Sequence, residues 1–463
     1  MCKKWHKVMN TGQEKIVTRF APSPTGFLHI GGARTALFNF LYAKKYGGKM
    51  LLRIEDTDRE RSKKEYEDDI IEGLAWLGIE WAGKGGAPDE PYRQSERTEI
   101  YKTYLEKLIG GENAYVSQEE RMGKRGTVIR FKNPNTRVTF HDEIRGDVSF
   151  DTTDLGDFVI AKDMETPLYH LAVVIDDFEM GVTHIIRGED GISNTPRQIL
   201  IQEAIGAPRP VYAHIPLILA PDRSKLSKRH GAVSVNEFRK EGYLPDAMVN
   251  FLALMGWSPQ AVGLETDILS PSELGEAFSL AHVQKGGAIF NRDKLNALNR
   301  AYIKKMSLEA QVSTVRKWLP DKDPAIIEKI TPLVVERINT FKDIETLEKN
   351  GEFAYFFSEP VYDDKKLNWK NTPSGETQNY LAHISGILSN IPDAQFAADH
   401  LKGAIWSYAE ENGKGQVLWP FRYALSGRDT SPDPFTIAGI IGKQETLARI
   451  SRASEQLGGI LLI

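Results

Sequence analysis

Cysteine is almost missing from this chain: Cys2 is the only one in 463 residues. A disulfide within the chain is excluded, and so is a zinc site built on cysteine ligands. So few thiols fit a reducing compartment. No stretch of about 18 apolar residues is present, so no membrane-spanning helix is expected. Residues 1–15 are polar and lack the apolar core of a secretory leader, which makes the cytoplasm the expected location. A dominant charge is lacking too. Lys and Arg number 59 against 63 Asp and Glu, a net charge of −4. That argues against a partner gripped by overall electrostatics, but not against a local basic track. One such track holds Arg121, Lys124, Arg125, Arg130, Lys132 and Arg137 with no acid between them. By itself it reads as a solvated charged face. Internal repeats and low-complexity tracts are absent. What remains, 41% apolar and 26% charged, is the composition of an ordinary globular protein. Its length suits about three domains.

One stretch organises the chain, Arg19-Phe20-Ala21-Pro22-Ser23-Pro24-Thr25-Gly26-Phe27-Leu28-His29-Ile30-Gly31-Gly32. The apolar run Ile16–Phe20 before it reads as a buried strand, and Ala33–Tyr46 after it as an amphipathic helix. Pro22 and Pro24 hold the loop extended, and its glycines permit close backbone approach. A helix N-terminus facing such a loop presents unpaired N–H groups and a positive dipole end, a ready anion site. On these features alone, a tight turn with an incidental histidine remains the stronger reading.

Further on, Met50–Ile54 is a second predicted strand, ending in Glu55-Asp56-Thr57-Asp58, where parallel sheets bind ligands. Ser62-Lys63-Lys64-Glu65 has the capping-box form and opens a predicted helix to Gly78. A second helix is expected from Ser95 to Leu108. Thr127–Phe131 and Arg137–His141 read as β-like runs within an insertion. Leu168–Ile175 and Thr183–Ile186 read as strands, Thr195–Ala204 as a helix and Val211–Leu219 as a strand. Lys225-Leu226-Ser227-Lys228-Arg229 follows, with two cations suited to a polyphosphate. From Asn236 the pattern is helical, with breaks expected near Pro245, Pro259 and Pro271.

The eleven positions Pro22–Gly32 resemble the P-S-P-T-G-x-L-H-x-G-G signature of the glutamyl branch of class I aminoacyl-tRNA synthetases. Lys225–Arg229 resembles the second, K-M-S-K-S signature of that class. Arg53–Asp58, Pro91–Arg97, Tyr169–Asp177, Met180–His184, Arg187–Asp190 and Ser193–Gln198 match the same branch. The likeness is close from residue 16 to about residue 300 and looser beyond, where Gln416–Gly427 still looks like the anticodon-binding region. The resemblance implies an α/β fold: a Rossmann-like catalytic domain with an α+β insertion, followed by all-helical C-terminal domains. The expected division is 1–110 and 161–225 for the two catalytic halves, 111–160 for a shortened acceptor-binding insertion, 226–306 for a helical stem-contact domain and 307–463 for an anticodon-binding domain.

The resemblance also implies ATP-dependent ligation of L-glutamate to tRNA(Glu) through a glutamyl-adenylate. His29, Lys225 and Lys228 would be catalytic, and His29, Gly31, Gly32 and Lys228 would bind ATP. Arg19, Ser23, Glu55, Tyr169 and Arg187 would bind glutamate, with Arg187 on the side-chain carboxylate and Glu55 on the ammonium. Arginine suits a carboxylate because its planar fork meets both oxygens. Magnesium would accompany ATP; no zinc is expected. A monomer is expected, and tRNA(Gln) stays open as a second substrate. Three departures stand out. The stretch Tyr115–Val128 is short and lacks the cysteine cluster of some relatives. Gly191 stands where relatives often carry His or Trp. Arg229 follows Lys228, a common variant. Three rivals are a paralogue that glutamylates a tRNA base, which would lack the C-terminal helices, a non-catalytic tRNA-binding protein, which would not need His29, Lys225 and Lys228, and a generic nucleotidyltransferase of the same sheet type, which would not explain Arg19, Glu55, Tyr169 and Arg187 together.

Overall fold

A computed structural model describes residues 15–83, 90–121, 124–224, 226 and 234–458. The chain divides into two compact units, residues 1–302 and 303–463.

The first unit begins with β1 (Val17–Phe20), the signature loop, α1 (Ile30–Lys45), β2 (Lys49–Ile54) and α2 (Lys64–Trp76). β1 and β2 are parallel, with Arg19 opposite Leu51. A short β3 (Tyr92–Arg93) extends the sheet beside β2, and α3 (Thr98–Gly110) follows. Two antiparallel hairpins come next, β4 (Ala114–Arg121) with β5 (Lys124–Phe131), then β6 (Arg137–Asp142) with β7 (Gly146–Asp151). β8 (Phe158–Ala161) pairs with β5. The chain then runs through α4 (Tyr169–Glu179), β9 (His184–Gly188), α5 (Thr195–Ile205) and β10 (Val211–Ile215). β10 lies between β9 and β6, parallel to both. The second hairpin is thus joined to the parallel sheet, while the first builds its own small sheet with β8.

Alternation along the strands explains the layers. On β9, Ile186 enters a core with Phe38, Leu52, Ile54 and Trp257, while Ile185 enters another with Leu171, Ile175 and Ile201. On β10, Ala213 and Ile215 join the first core and Tyr212 the second. A period of two places successive residues on opposite faces, so helices cover both sides of a parallel sheet. β1 and β9 meet where the Thr183 N–H donates to the Val17 carbonyl at 2.9 Å. Beyond that point a helix side chain bridges them: Asn39 of α1 donates to the Ile186 carbonyl at 2.9 Å, and the Thr18 hydroxyl donates to the Asn39 carbonyl at 3.0 Å. Strand order reverses here, and the cleft outside the C-terminal strand ends is where such sheets bind ligands.

Three local expectations differ from the fold. Leu168–Ile175 is not a strand; Leu168 is the N-cap of α4 and the rest lies within it, with Leu171, Ala172, Val173, Val174 and Ile175 all buried. A helix buried on every side has no polar stripe, so its apolar run cannot be told from a buried strand by periodicity. Ser62 does not cap α2: the N-cap is Lys63 and makes no side-chain cap bond. Capping boxes occur instead at Ser234 with Glu237 and at Ser270 with Glu273. Val211–Leu219 is split by Pro216 into β10 and β11 (Ile218–Leu219). The breaks expected near Pro245, Pro259 and Pro271 are present, and each proline begins the next helical segment, because a first-turn N–H has no intrahelical partner to lose. They open α7 (Pro245–Leu254), a short 3-10 turn and α8 (Pro271–Ala277). These follow α6 (Val235–Lys240) and precede β12 (Ala288–Ile289) and α9 (Arg292–Lys305).

The regular elements of the second unit are all helices among its described residues. Its longest helices are α10 (Leu308–Trp318), α11 (Pro324–Val335), α12 (Ser374–Ser389), α13 (Ala398–Asn412), α14 (Lys414–Ser426) and α15 (Lys443–Gln456). Aromatic side chains gather around α14, where Trp369 and Trp419 lie 5.2 Å apart and Arg422 lies 4.8 Å over the Trp419 ring.

Candidate active site

Register brings the polar residues of the first unit onto one face. Arg19 pairs with Leu51, so Arg53, two residues on, projects to the same side as Arg19. Arg187 pairs with His214 on neighbouring strands. The helix α4 covers this face and carries Asp176 and Asp177 in its last turn and Tyr169 at its first position.

The charges interlock. Arg53, fully buried, donates from Nη1 to Asp177 Oδ1 at 2.7 Å and from Nη2 to Glu55 Oε1 at 3.1 Å. Arg19 donates from Nε to Asp177 Oδ1 at 3.2 Å. Asp176 is held by Arg97 Nε at 2.7 Å, Gln94 Nε2 at 2.8 Å and the Tyr101 hydroxyl at 2.9 Å. Buried charges persist only when paired in this way. Asp177 shows the balance: burial opposes ionisation, yet Arg19 and Arg53 outweigh it and hold the carboxyl below its ordinary value. For Glu55 the balance tips the other way. Burial raises its carboxyl above the ordinary value against the pull of Arg53 and Arg19.

Arg187 stands apart. Its Nε donates to His214 Nε2 at 3.0 Å, and its Nη2 to Thr195 Oγ1 at 2.8 Å and the Gly191 carbonyl at 3.1 Å. Its Nη1 is buried and finds no hydrogen-bond partner among the described residues. Burial lowers the guanidinium pKa, with the Arg19 charge adding to the effect and Tyr169 among the groups that oppose it. Tyr169 is raised by burial of its hydroxyl end and then by Glu55, against Arg187 and Arg19. The expected glutamate residues Arg19, Glu55, Tyr169 and Arg187 therefore lie within one another's field. Ser23 is exposed in the signature loop.

In that loop His29 is the N-cap of α1, and its Nδ1 accepts from the Gly32 N–H at 3.0 Å. The neutral ring then carries its proton on Nε2. A Cβ at Gly31 would lie 3.0 Å from the imidazole, tight enough that the ring would have to give by a few tenths of an ångström. Asp69 of α2 accepts from the Leu28 N–H at 2.7 Å through Oδ2 and from Asn236 Nδ2 at 2.7 Å through Oδ1. The Val235 N–H donates to the Leu28 carbonyl at 2.9 Å. The first signature is thus bound to the segment that follows the second. Lys225 and Lys228 lie outside the described residues. Of the basic track, Arg130 pairs with Glu119, an acid from the facing strand, and Arg137 approaches Asp151 at 3.8 Å.

Sequence reasoning gave no role to Arg53, Asp176, Asp177, Asp142 or His214. The signal for three of them was present: Arg53, Asp176 and Asp177 sit at the ends of apolar runs, where a charge is buried and must be paired. Asp142 and His214 carry no comparable local signal.

Comparison with known proteins identifies the family. The family model for tRNA synthetases class I (E and Q), catalytic domain, matches residues 15–125 and 117–297, and that for an anticodon binding domain matches residues 290–454. The glutamate–tRNA ligase 1 of Syntrophomonas wolfei is 41% identical, covering 95% of this chain and 96% of the relative. That of Carboxydothermus hydrogenoformans is also 41% identical, covering 94% and 99%. A crystal structure of a glutamate tRNA ligase from Elizabethkingia meningosepticum, in complex with its amino acid, superposes with a TM-score of 0.85 at 34% identity, covering 96% of this chain and 100% of the other. The α/β catalytic fold followed by helices matches expectation. With its signature loop capping α1 and its buried arginines gathered at the sheet's switch point, the chain belongs to the glutamate–tRNA ligase family of class I aminoacyl-tRNA synthetases.

Proposed function

We propose that this protein joins L-glutamate to tRNA(Glu) at the expense of ATP, which enters with magnesium. The α-carboxylate of glutamate attacks the α-phosphorus in line, and pyrophosphate leaves. The glutamyl-adenylate then acylates the 2′-OH of the terminal ribose of tRNA, releasing AMP. No covalent enzyme intermediate is needed, so catalysis is positioning and charge stabilisation. The observation that carries this reading is Arg187, whose buried Nη1 lacks a partner among the described residues beside Arg19, Glu55 and Tyr169. A buried guanidinium N–H in that state calls for an anion.

In this reading Arg187 holds the side-chain carboxylate with help from Arg19, and Tyr169 donates a hydrogen bond. Glu55 meets the ammonium, and Ser23 touches the substrate from the loop. His29 donates to the phosphates, Gly31 and Gly32 let ATP approach the α1 N-terminus, and Lys225 and Lys228 stabilise the displaced charge. Glutamine is rejected because its neutral amide leaves Arg187 unneutralised. Residues 111–160 receive the acceptor end, 226–306 the stem and 307–463 the anticodon. The proposal includes action as a monomer in the cytoplasm, without zinc.

The test is acid-precipitable charging of total tRNA with purified protein, ATP, magnesium and labelled glutamate, glutamine or aspartate. Signal with glutamate alone, abolished by nuclease, is expected. Sequencing of the charged tRNAs decides whether tRNA(Gln) is included. Intact ATP binding without charging would overturn the proposal in favour of the non-catalytic reading.

A further inference from the structure

Arg187 and His214 are register partners on adjacent parallel strands β9 and β10. Both side chains therefore leave the same face of the sheet, and both are buried. Because Arg187 Nε donates to His214 Nε2 at 3.0 Å, that imidazole nitrogen must be the unprotonated one. The proton of the neutral ring then sits on Nδ1 and points at Asp142 Oδ2, 2.6 Å away. Asp142 is itself immobilised at the end of β6. Its Oδ1 accepts from the N–H groups of Ile144 at 3.0 Å and Arg145 at 2.8 Å, and its Oδ2 from the His214 N–H at 3.0 Å. Burial, with the Arg187 charge, keeps the imidazole neutral against the pull of Asp142.

A second nitrogen of the guanidinium, Nη2, is fixed by Thr195 and the Gly191 carbonyl. Gly191 contributes through what it lacks. A Cβ there would stand 2.7 Å from Arg187 Nε and 2.9 Å from Cδ, displacing the guanidinium from the position that reaches His214 and Thr195. With Nε and Nη2 both committed, Nη1 is the group left without a partner among the described residues.

We infer that Asp142, His214 and Gly191 are positioning residues for Arg187: a chain of fixed hydrogen bonds, in space opened by a glycine, aims Nη1 at the substrate carboxylate and sets the preference for glutamate over glutamine. This rests on the reading that Arg187 meets that carboxylate. The device departs from a simple ion pair, because an imidazole fixed as an acceptor orients the guanidinium without neutralising it. Arg187 keeps its charge for the ligand.

Steady-state aminoacylation by the full chain tests it, with glutamate, glutamine and ATP varied in turn and thermal midpoints recorded. His214→Leu removes the acceptor and is expected to raise the glutamate KM about tenfold or more, with the ATP KM changed less than about twofold. Discrimination against glutamine should fall by a similar factor. His214→Gln, whose amide oxygen can accept from Nε, should recover most of the loss. Gly191→Ala should give the same split between glutamate and ATP, and it decides the matter alone if His214→Leu does not fold. Unchanged glutamate KM in folded His214→Leu and Gly191→Ala, alongside a raised one in Arg187→Ala, would overturn the inference and leave the Arg187 reading intact. Equal changes in both KM values would reduce His214 to a structural residue and overturn it as well. An Arg187→Ala enzyme with unchanged glutamate KM would overturn the Arg187 reading, and the inference with it.

Discussion

Arg53 Nη1 lies 2.7 Å from Asp177 Oδ1, with the two side chains 0% and 5% exposed. The same guanidinium also reaches Glu55 at 3.1 Å and approaches Asp176 at 3.6 Å. Removing one partner of a buried pair leaves uncompensated charge and costs about 3–5 kcal/mol. Arg53→Met should therefore lower stability by roughly that amount in urea unfolding. Arg53→Lys should recover only part of it, since a single ammonium cannot serve three carboxylates as a planar fork does. Wild-type stability in both variants would refute the central place of Arg53.

Glu55 and Asp177 respond to pH with opposite sign. Burial raises Glu55, so its contribution to stability is present while it is protonated, below the ordinary carboxyl range, and is lost as pH rises through the folded value. Asp177 is depressed, so its contribution is present above about pH 4 and is lost as pH falls. Glu55→Gln should be more stable than the parent at neutral pH without glutamate, and the advantage should vanish below about pH 4. An ammonium beside Glu55 favours the carboxylate, so glutamate binding in mildly acidic buffer should release up to about one proton. Calorimetry in buffers of different ionisation enthalpy measures that release. Its persistence in Glu55→Gln would place the proton elsewhere.

Arg187→Ala removes the guanidinium and should weaken glutamate by about 2–5 kcal/mol while ATP binding is unchanged. Pyrophosphate exchange at varied glutamate and ATP separates the two. A defect confined to ATP contradicts the assignment.

Asp69 holds both the Leu28 N–H and the Asn236 amide. Asp69→Ala leaves the loop N–H unsatisfied, a penalty of about 1–3 kcal/mol, and frees the loop that carries His29. The rate of adenylate formation should fall by roughly tenfold with the fold retained. A circular dichroism melt confirms the fold, and single-turnover kinetics reads the rate. An unchanged rate would mean that the loop holds its shape without this tie.

In the role proposed for Lys228, its cation would act chiefly on the transition-state charge, so Lys228→Ala should lower the activation rate severely while the protein stays folded. Unchanged single-turnover kinetics would remove Lys228 from the mechanism.

The amino-acid order by itself determined a good deal. The alternation of apolar runs with helical spacing around Pro22–Gly32 defined the first strand, loop and helix, since φ restriction by proline and the two periodicities are local properties. The scarcity of cysteine and the helical pattern after Asn236 were equally plain. The run Leu168–Ile175 misled because burial on all sides erases the period that separates helix from strand. Which charges meet is settled by the packed fold. Arg19 and Asp177 are 158 residues apart, and His214 and Asp142 are 72 apart. Their contacts follow from parallel register and from α4 packing on one face of the sheet. A sequence records that a buried charge needs a partner; the geometry of strands and layers chooses it, because electrostatic pairing in a dry interior depends on distances that no local pattern encodes.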